Sequence, residues 1–137
     1  MDVNLTEINV QNYKQVIELC VSPEQERWVG TAAEAIVEVH FHRFFEMRAI
    51  ALGNDTIVGM IVYETSDTED GVFVWLHRLL VDCHHQRRGY GRAALKRMLS
   101  DVHALPKNVH VRTKADNSVA LRLYRSLGFK HITLIHE

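Results

Sequence analysis

The chain has 137 residues, 47% of them hydrophobic, which is enough for one domain (residues 1–137) built around a real core. Its formal charge of −1, from 16 basic and 17 acidic residues, argues against a general nucleic-acid binder. The opening MDVNLTEINV lacks the basic and apolar regions of a signal peptide, and no apolar run could span a bilayer. A cytoplasmic protein without membrane attachment is expected. Cys20 and Cys83 fit no metal-ligand spacing and suggest no disulfide framework, so both are read as structural thiols.

Leu5–Val10 can form a first strand. From Tyr13, the positions Val16, Ile17, Leu19, Cys20 and Val21 predict an amphipathic helix that ends before Ser22-Pro23. The segment PEQERWVG that follows is polar apart from Trp28. Thr31 with Glu34 three residues on forms a capping box, opening a helix through Ala35, Ile36 and Val39 towards His42. Met47–Leu52 and Ile57–Tyr63 read as strands joined by a Gly53-Asn54-Asp55 turn. Thr65–Gly71 reads as an acidic loop.

Val72–Val81 is then apolar on both faces, with Val72, Val74, Leu76 and Leu80 on one side and Phe73, Trp75, Leu79 and Val81 on the other. Such a strand is central in its sheet. The polar turn DCHHQRRGYGR leads into a helix over Gly89–Val102, whose Ala94, Leu95, Met98, Leu99 and Val102 recur at helical spacing. Gly89 and Gly91 stand where the chain enters this helix, and free N–H groups there favour an anion. Arg87, Arg88 and Arg92 add charge, so a phosphate-bearing ligand is expected. Pro106–Asn108 reads as a turn, Val109–Thr113 as a half-buried strand, and Ala115–Ser118 as a turn and cap. The next helix carries Val119, Ala120, Leu123, Tyr124 and Leu127 on one stripe, with Gly128 as its stop and Phe129–Ile135 as a last strand. Hairpins followed by strand–helix–strand–helix–strand give a mixed α/β domain.

The P-loop pattern and the dinucleotide G-x-G-x-x-G are both absent. What remains is Gln86-Arg87-Arg88-Gly89-Tyr90-Gly91, a Q-x-x-G-x-G turn between strand and helix. With LHRLLVDCHHQRRGYGRAALKRML around it, this turn resembles motif A of the GNAT superfamily of acyl-CoA-dependent N-acyltransferases. ADNSVALRLYRSLGFK, through Asn117, Ala120, Tyr124, Gly128 and Phe129, resembles motif B. VIELCVSPEQERWVG and VWLHRLLVD look most like the spermine/spermidine and diamine acetyltransferases.

The resemblance implies mostly antiparallel N-terminal strands, then a splayed parallel central pair flanked by helices. It implies a pantetheine arm held by the backbone of Leu79 and Val81, and a coenzyme A pyrophosphate held by Gln86, Arg87, Arg88, Gly89, Tyr90, Gly91 and Arg92. Asn117 contacts the arm or caps the last helix. The family usually closes with a further strand after the one near Phe129, for which the present sequence is too short. That implies a reduced acceptor wall or one completed by a partner chain, as in a homodimer.

The implied reaction moves acetyl from acetyl-CoA to a primary amine of a small molecule, most simply a polyamine or diamine, by direct attack. An acceptor ammonium near pKa 10.4 must shed a proton at a cost of about 4–5 kcal/mol at neutral pH. Tyr124 matches the family's general acid, and a packed aromatic is its plain structural alternative. His77 stands where polyamine-acetylating relatives carry an acidic residue. It can serve as base, since its ordinary pKa is near neutrality, or be a satisfied histidine beside Trp75. Glu24, Glu26, Trp28, Trp75 and His77 are the candidate acceptor contacts. Glu34, Glu38, Asp67, Glu69 and Asp70 are further carboxylates that can attract a cation or simply face water. No metal is expected from His40, His42, His84, His85 or His110, whose spacing suits none. The alternatives are a peptide-lysine or other amine acceptor, or a non-catalytic acyl-CoA-binding module.

Overall fold

The computed structural model describes residues 2–21, 23 and 31–136. Strands β1 (Asn4–Glu7), β2 (Glu46–Ala51), β3 (Ile57–Thr68), β4 (Gly71–Val81), β5 (Ala104–Lys114) and β6 (His131–Ile135) lie side by side in chain order in one sheet. The first four pair antiparallel, whereas β4–β5 and β5–β6 pair parallel. Helices α1 (Tyr13–Ile17), α2 (Ala32–Phe41), α3 (Tyr90–Val102) and α4 (Ser118–Ser126) complete the described residues. No helix among them is long and apolar enough to cross a membrane.

The core divides between the two faces of the sheet. Leu95, Met98 and Leu99 of α3 pack with Ile61, Tyr63, Val74, Leu76, Val109 and Val111, and Tyr124 of α4 joins them. Val16 of α1 and Ala32 and Ala35 of α2 pack with Met47, Ala49, Met60, Val62 and Leu80. Thr31 caps α2 as its spacing predicts, its side chain accepting from the Glu34 N–H at 3.1 Å. Gly128, at φ +88°, ends α4: its N–H donates to Arg125 and the Phe129 N–H donates to Tyr124. These are the two bonds of a Schellman motif, and the apolar contact that accompanies it is Phe129 stacked on Tyr124 at 5.8 Å.

Several expectations need correction. The first helix ends at Ile17, which is 46% exposed, rather than running to Val21. Thr65–Thr68 belongs to β3, and only Glu69-Asp70 turns the chain into Gly71 (φ +112°). Cross-strand pairing with Val72–Val74 outweighs the polar composition there. Pro106–Asn108 lies within β5. Between Ala104 and Val109 the register slips against β4, so Pro106 occupies an irregular stretch that its missing N–H tolerates. Val119 is 66% exposed, and Leu121 takes its place on the buried side of α4.

The alternation expected along β4 also fails after Leu76. Val62 pairs with Arg78 but Tyr63 with Leu76, so His77 is the extra residue of a bulge. Leu76 therefore packs in the α3-side cluster and Leu80 in the α1/α2-side cluster. A second bulge on β3 leaves Val58 opposite neither Ile50 nor Ala51. Gly59 beside it has no room for a side chain: a Cβ would be driven into the Leu80 carbonyl oxygen.

Cys20 and Cys83 are joined as a disulfide, contrary to the reading as free thiols. Their separation in sequence is 63 residues, so spacing carried no hint of it. Asp82 tightens the same junction. It accepts from the Cys20 N–H at 2.6 Å, the His84 N–H at 3.1 Å and His85 Nδ1 at 2.9 Å, while the Cys83 N–H donates to the Cys20 carbonyl. Burial raises the Asp82 pKa, but these donors outweigh it and hold the carboxyl below its usual range.

Candidate active site

The parallel pairing of β4 with β5 stops at Leu76↔Val111. Beyond it β4 runs on to Val81 and β5 to Lys114 without bonding each other, so the two strands open into a V. The Asp82 N–H donates to Val58 of β3. By the two-residue period, the backbone groups of Val81 and Leu79 face away from β3, into the V. A cleft of about 660 Å³ follows this opening, and its lining includes Leu79, Val111, Thr113, Asn117 and Tyr124 together with Trp75, His77, Phe45, Glu34 and Glu38.

At the end of β4 the turn into α3 has the form expected of an anion site. Gly89, the N-cap of α3, has φ +81° and no side chain caps the helix. Arg87 is also left-handed, at φ +63°. Left-handed residues at a turn aim successive N–H groups into one concavity, and the first-turn N–H groups of α3 have no acceptor within the helix. Arg87 and Arg88 are exposed beside it. Gly91 meets no protein atom closer than 3.6 Å from a built Cβ, so the protein itself does not demand a glycine there. A Cβ there would lie in ordinary contact with Leu123, Leu79 and Val81 at 3.6–3.7 Å, whereas a bare glycine lets a diphosphate approach the backbone closely. Gln86 instead braces the turn, its Nε2 donating to the Val81 carbonyl at 3.0 Å. Arg92 reaches across to the Ser126 hydroxyl on α4. Asn117 is buried and caps α4, accepting from the Ala120 N–H at 3.3 Å, while its residue also lines the cleft.

Tyr124 is 7% exposed, and burial pushes its pKa up to about 12. The hydroxyl is therefore more firmly protonated than its ordinary pKa implied. No group among the described residues is hydrogen-bonded to it, yet it is not sealed from the cleft it lines. His77 lines the same cleft. Its ring stacks on Phe45 at 4.0 Å, Phe45 stacks on His42 at 4.3 Å, and its Nε2 lies 3.1 Å from Glu64 Oε1. Glu64 is absent from the sequence reading. By composition the polar tail of β3 leaves the sheet, whereas pairing carries it past the bulge.

Trp75 is 43% exposed and heads a row of rings across three strands, with His110 at 4.3 Å and His131 a further 4.3 Å on. Burial, and secondarily the neighbouring His131, lowers the His110 pKa. Glu38 is not a free carboxylate for a cation. Arg78 grips it with Nε and Nη2 at 3.3 and 3.1 Å, and that hydrogen bonding holds its pKa down. Glu34 lines the cleft, whereas Asp67, Glu69 and Asp70 lie on the exposed β3–β4 hairpin. Glu24, Glu26 and Trp28 lie outside the described residues. Sγ of Cys20 and Cys83 and a ring nitrogen of His84 cluster within 4.8 Å, but both sulfurs are engaged in the disulfide.

Residues 13–129 match the model of the acetyltransferase (GNAT) family. The chain is 24% identical over 136 residues to a probable spermine N(1)-acetyltransferase of Bacillus subtilis subsp. natto, covering 95% of this chain and 89% of that protein. Its fold is that of an acetyltransferase from Thermus thermophilus, with TM-score 0.68, 17% identity and coverage of 95% and 88% of the two chains. It is likewise that of the PaiA N-acetyltransferase from Thermoplasma acidophilum, solved in complex with coenzyme A, with TM-score 0.64, 15% identity and coverage of 95% and 91%. The V between β4 and β5, the uncapped helix behind it and the family match lead to one conclusion: the chain belongs to the GNAT family and is an acetyl-CoA-dependent N-acetyltransferase.

Proposed function

We propose that this domain acetylates a primary amine of a small molecule of the polyamine or diamine class, by direct attack with both substrates bound. The observation that carries this is the V itself, which has an anion turn at one end and Tyr124 and His77 on its walls. The backbone of Leu79 and the N–H of Val81, which face the V, would hold the pantetheine arm, the Val81 carbonyl being already engaged by Gln86. The N–H groups of Arg87 to Gly91, with Arg92 nearby, would hold the pyrophosphate. When bound, acetyl-CoA supplies a thioester carbonyl open to attack by the acceptor amine.

His77 takes one proton from the acceptor ammonium, freeing the nitrogen lone pair for that carbonyl, and later passes the proton to water. Backbone N–H groups of splayed β4 stabilise the charge that grows on the carbonyl oxygen. Tyr124 donates its hydroxyl hydrogen bond to the sulfur as the carbon–sulfur bond breaks. The second proton lost by nitrogen ends on that sulfur. The products are an amide, free thiol and one proton released.

The polyamine class is supported by the name of the Bacillus relative and by the carboxylate of Glu34, which lines the cleft. Pairing of Glu38 with Arg78 reduces the negative charge there, which favours acceptors with few cationic centres. A screen of putrescine, spermidine, spermine, free amino acids and lysine peptides, read by coenzyme A release, tests the reading. Turnover on putrescine or spermidine above the other acceptors is expected. Preference for peptides or amino acids would refute the polyamine class.

A further inference from the structure

We propose that Glu64 is the positioning residue of this reaction: it fixes His77 as the Nε2–H tautomer, leaving Nδ1 as the proton acceptor. The inference rests on the reading of His77 as base given above. Two contacts define the imidazole. Phe45 stacks on it at 4.0 Å with planes 23° apart, which sets the ring plane. Glu64 Oε1 at 3.1 Å from Nε2 sets the rotation of the ring within that plane.

A carboxylate only accepts hydrogen bonds, so the contact requires the proton on Nε2, and the lone pair of the neutral ring then resides on Nδ1. The bulge explains why the pair exists. Without an extra residue at His77, strict alternation from Leu76 would carry Arg78 to the α3 face and leave β3 and β4 in a single register. With it, His77 and Arg78 are both held on the α2 side, where each meets one carboxylate, Glu64 and Glu38 respectively. His77 lines the cleft and Glu64 is not among its lining residues, so the carboxylate is placed to act on the acceptor through the ring. Among the described residues, His42 lies beyond Phe45, Glu38 pairs with Arg78, and Glu34 and His110 line the same cleft. Because Glu38 is already engaged, Glu64 is the carboxylate that stabilises the imidazolium formed when His77 takes a proton.

Long-range proton–nitrogen NMR of the His77 ring in the acceptor-free protein tests this, together with steady-state kinetics. Wild-type protein is expected to show a single Nε2–H tautomer of the neutral ring. Glu64→Ala should give a tautomer mixture and lower kcat about ten- to hundredfold, the size of one charge-assisted hydrogen bond, with acetyl-CoA KM within twofold. Glu64→Gln retains an acceptor oxygen but not the charge, so it should keep the tautomer while losing part of kcat. Adding Glu64→Ala to His77→Ala should cost nothing further. An unchanged tautomer in Glu64→Ala, or kcat within twofold of wild type, would overturn the proposal. Full turnover in His77→Ala would instead overturn the base assignment beneath it, whatever the tautomer shows.

Discussion

Replacing Tyr124 with Phe separates the packing role of this side chain from its chemistry. The ring sits in the α3-side core and stacks on Phe129, and phenylalanine keeps both contacts. The hydroxyl is hydrogen-bonded to no described group, so its loss leaves no buried partner stranded. Stability should stay within about 1 kcal/mol. The size of the catalytic loss follows from the acidity. Burial pushes Tyr124 up to about 12, against roughly 8.5 for an ordinary thiol. Handing the proton over outright would be uphill by roughly 3.5 units, or about 5 kcal/mol. On the proposed mechanism the hydroxyl would instead hydrogen-bond the sulfur as its charge develops, a charge-assisted bond worth about 1.5–3 kcal/mol. Tyr124→Phe should lower kcat by about 10- to 150-fold with acetyl-CoA KM changed less than twofold. Initial rates of coenzyme A release at saturating acceptor measure this. A kcat within twofold of wild type would refute a chemical role. A loss beyond about 10⁴-fold at unchanged KM would refute the hydrogen-bond account in favour of full proton transfer.

Closing a 63-residue separation, the Cys20–Cys83 disulfide should contribute about 4 kcal/mol by the chain-entropy relation, so a reductant should lower Tm by roughly 10–15 °C. Two thiols titrating in the unreduced folded protein would contradict this. Gly59→Ala forces a Cβ against the Leu80 carbonyl, which should cost about 2 kcal/mol and lower Tm by roughly 7 °C; an unchanged Tm would show that the bulge yields freely. Glu38 and Asp82 titrate below their ordinary values, so the stability they add is present above pH about 4 and lost as pH falls through their depressed pKa values. Acid denaturation should accordingly be shallower in Asp82→Asn, and an identical acid limb would exclude Asp82. His110, whose pKa is lowered, is stabilising while neutral. That contribution should be lost as pH falls below about 6.5, and His110→Gln should flatten the Tm profile there.

The cofactor half of the candidate site could be proposed from sequence because its features are local. A glycine in a left-handed turn, arginines beside it and a helix start all lie within Gln86–Arg92, and the cap and stop of α4 lie within Asn117–Phe129. The acceptor half depends on register. Nothing near His77 in sequence announces that it is an inserted residue, since the bulge is defined by its partners Val62 and Tyr63. Period-two reading therefore misplaced Leu80 and passed over Glu64. For the same reason the Glu38–Arg78 pair, 40 residues apart, and the Cys20–Cys83 bond lay outside what spacing can convey.

The proposed reaction is direct transfer across the V from acetyl-CoA to an amine. Initial velocities measured with acetyl-CoA and the best amine varied together, alongside the intact mass of the protein after acetyl-CoA alone, test it most directly. Intersecting reciprocal plots and an unmodified protein are predicted. Parallel lines, with the protein itself carrying one acetyl group, would contradict it.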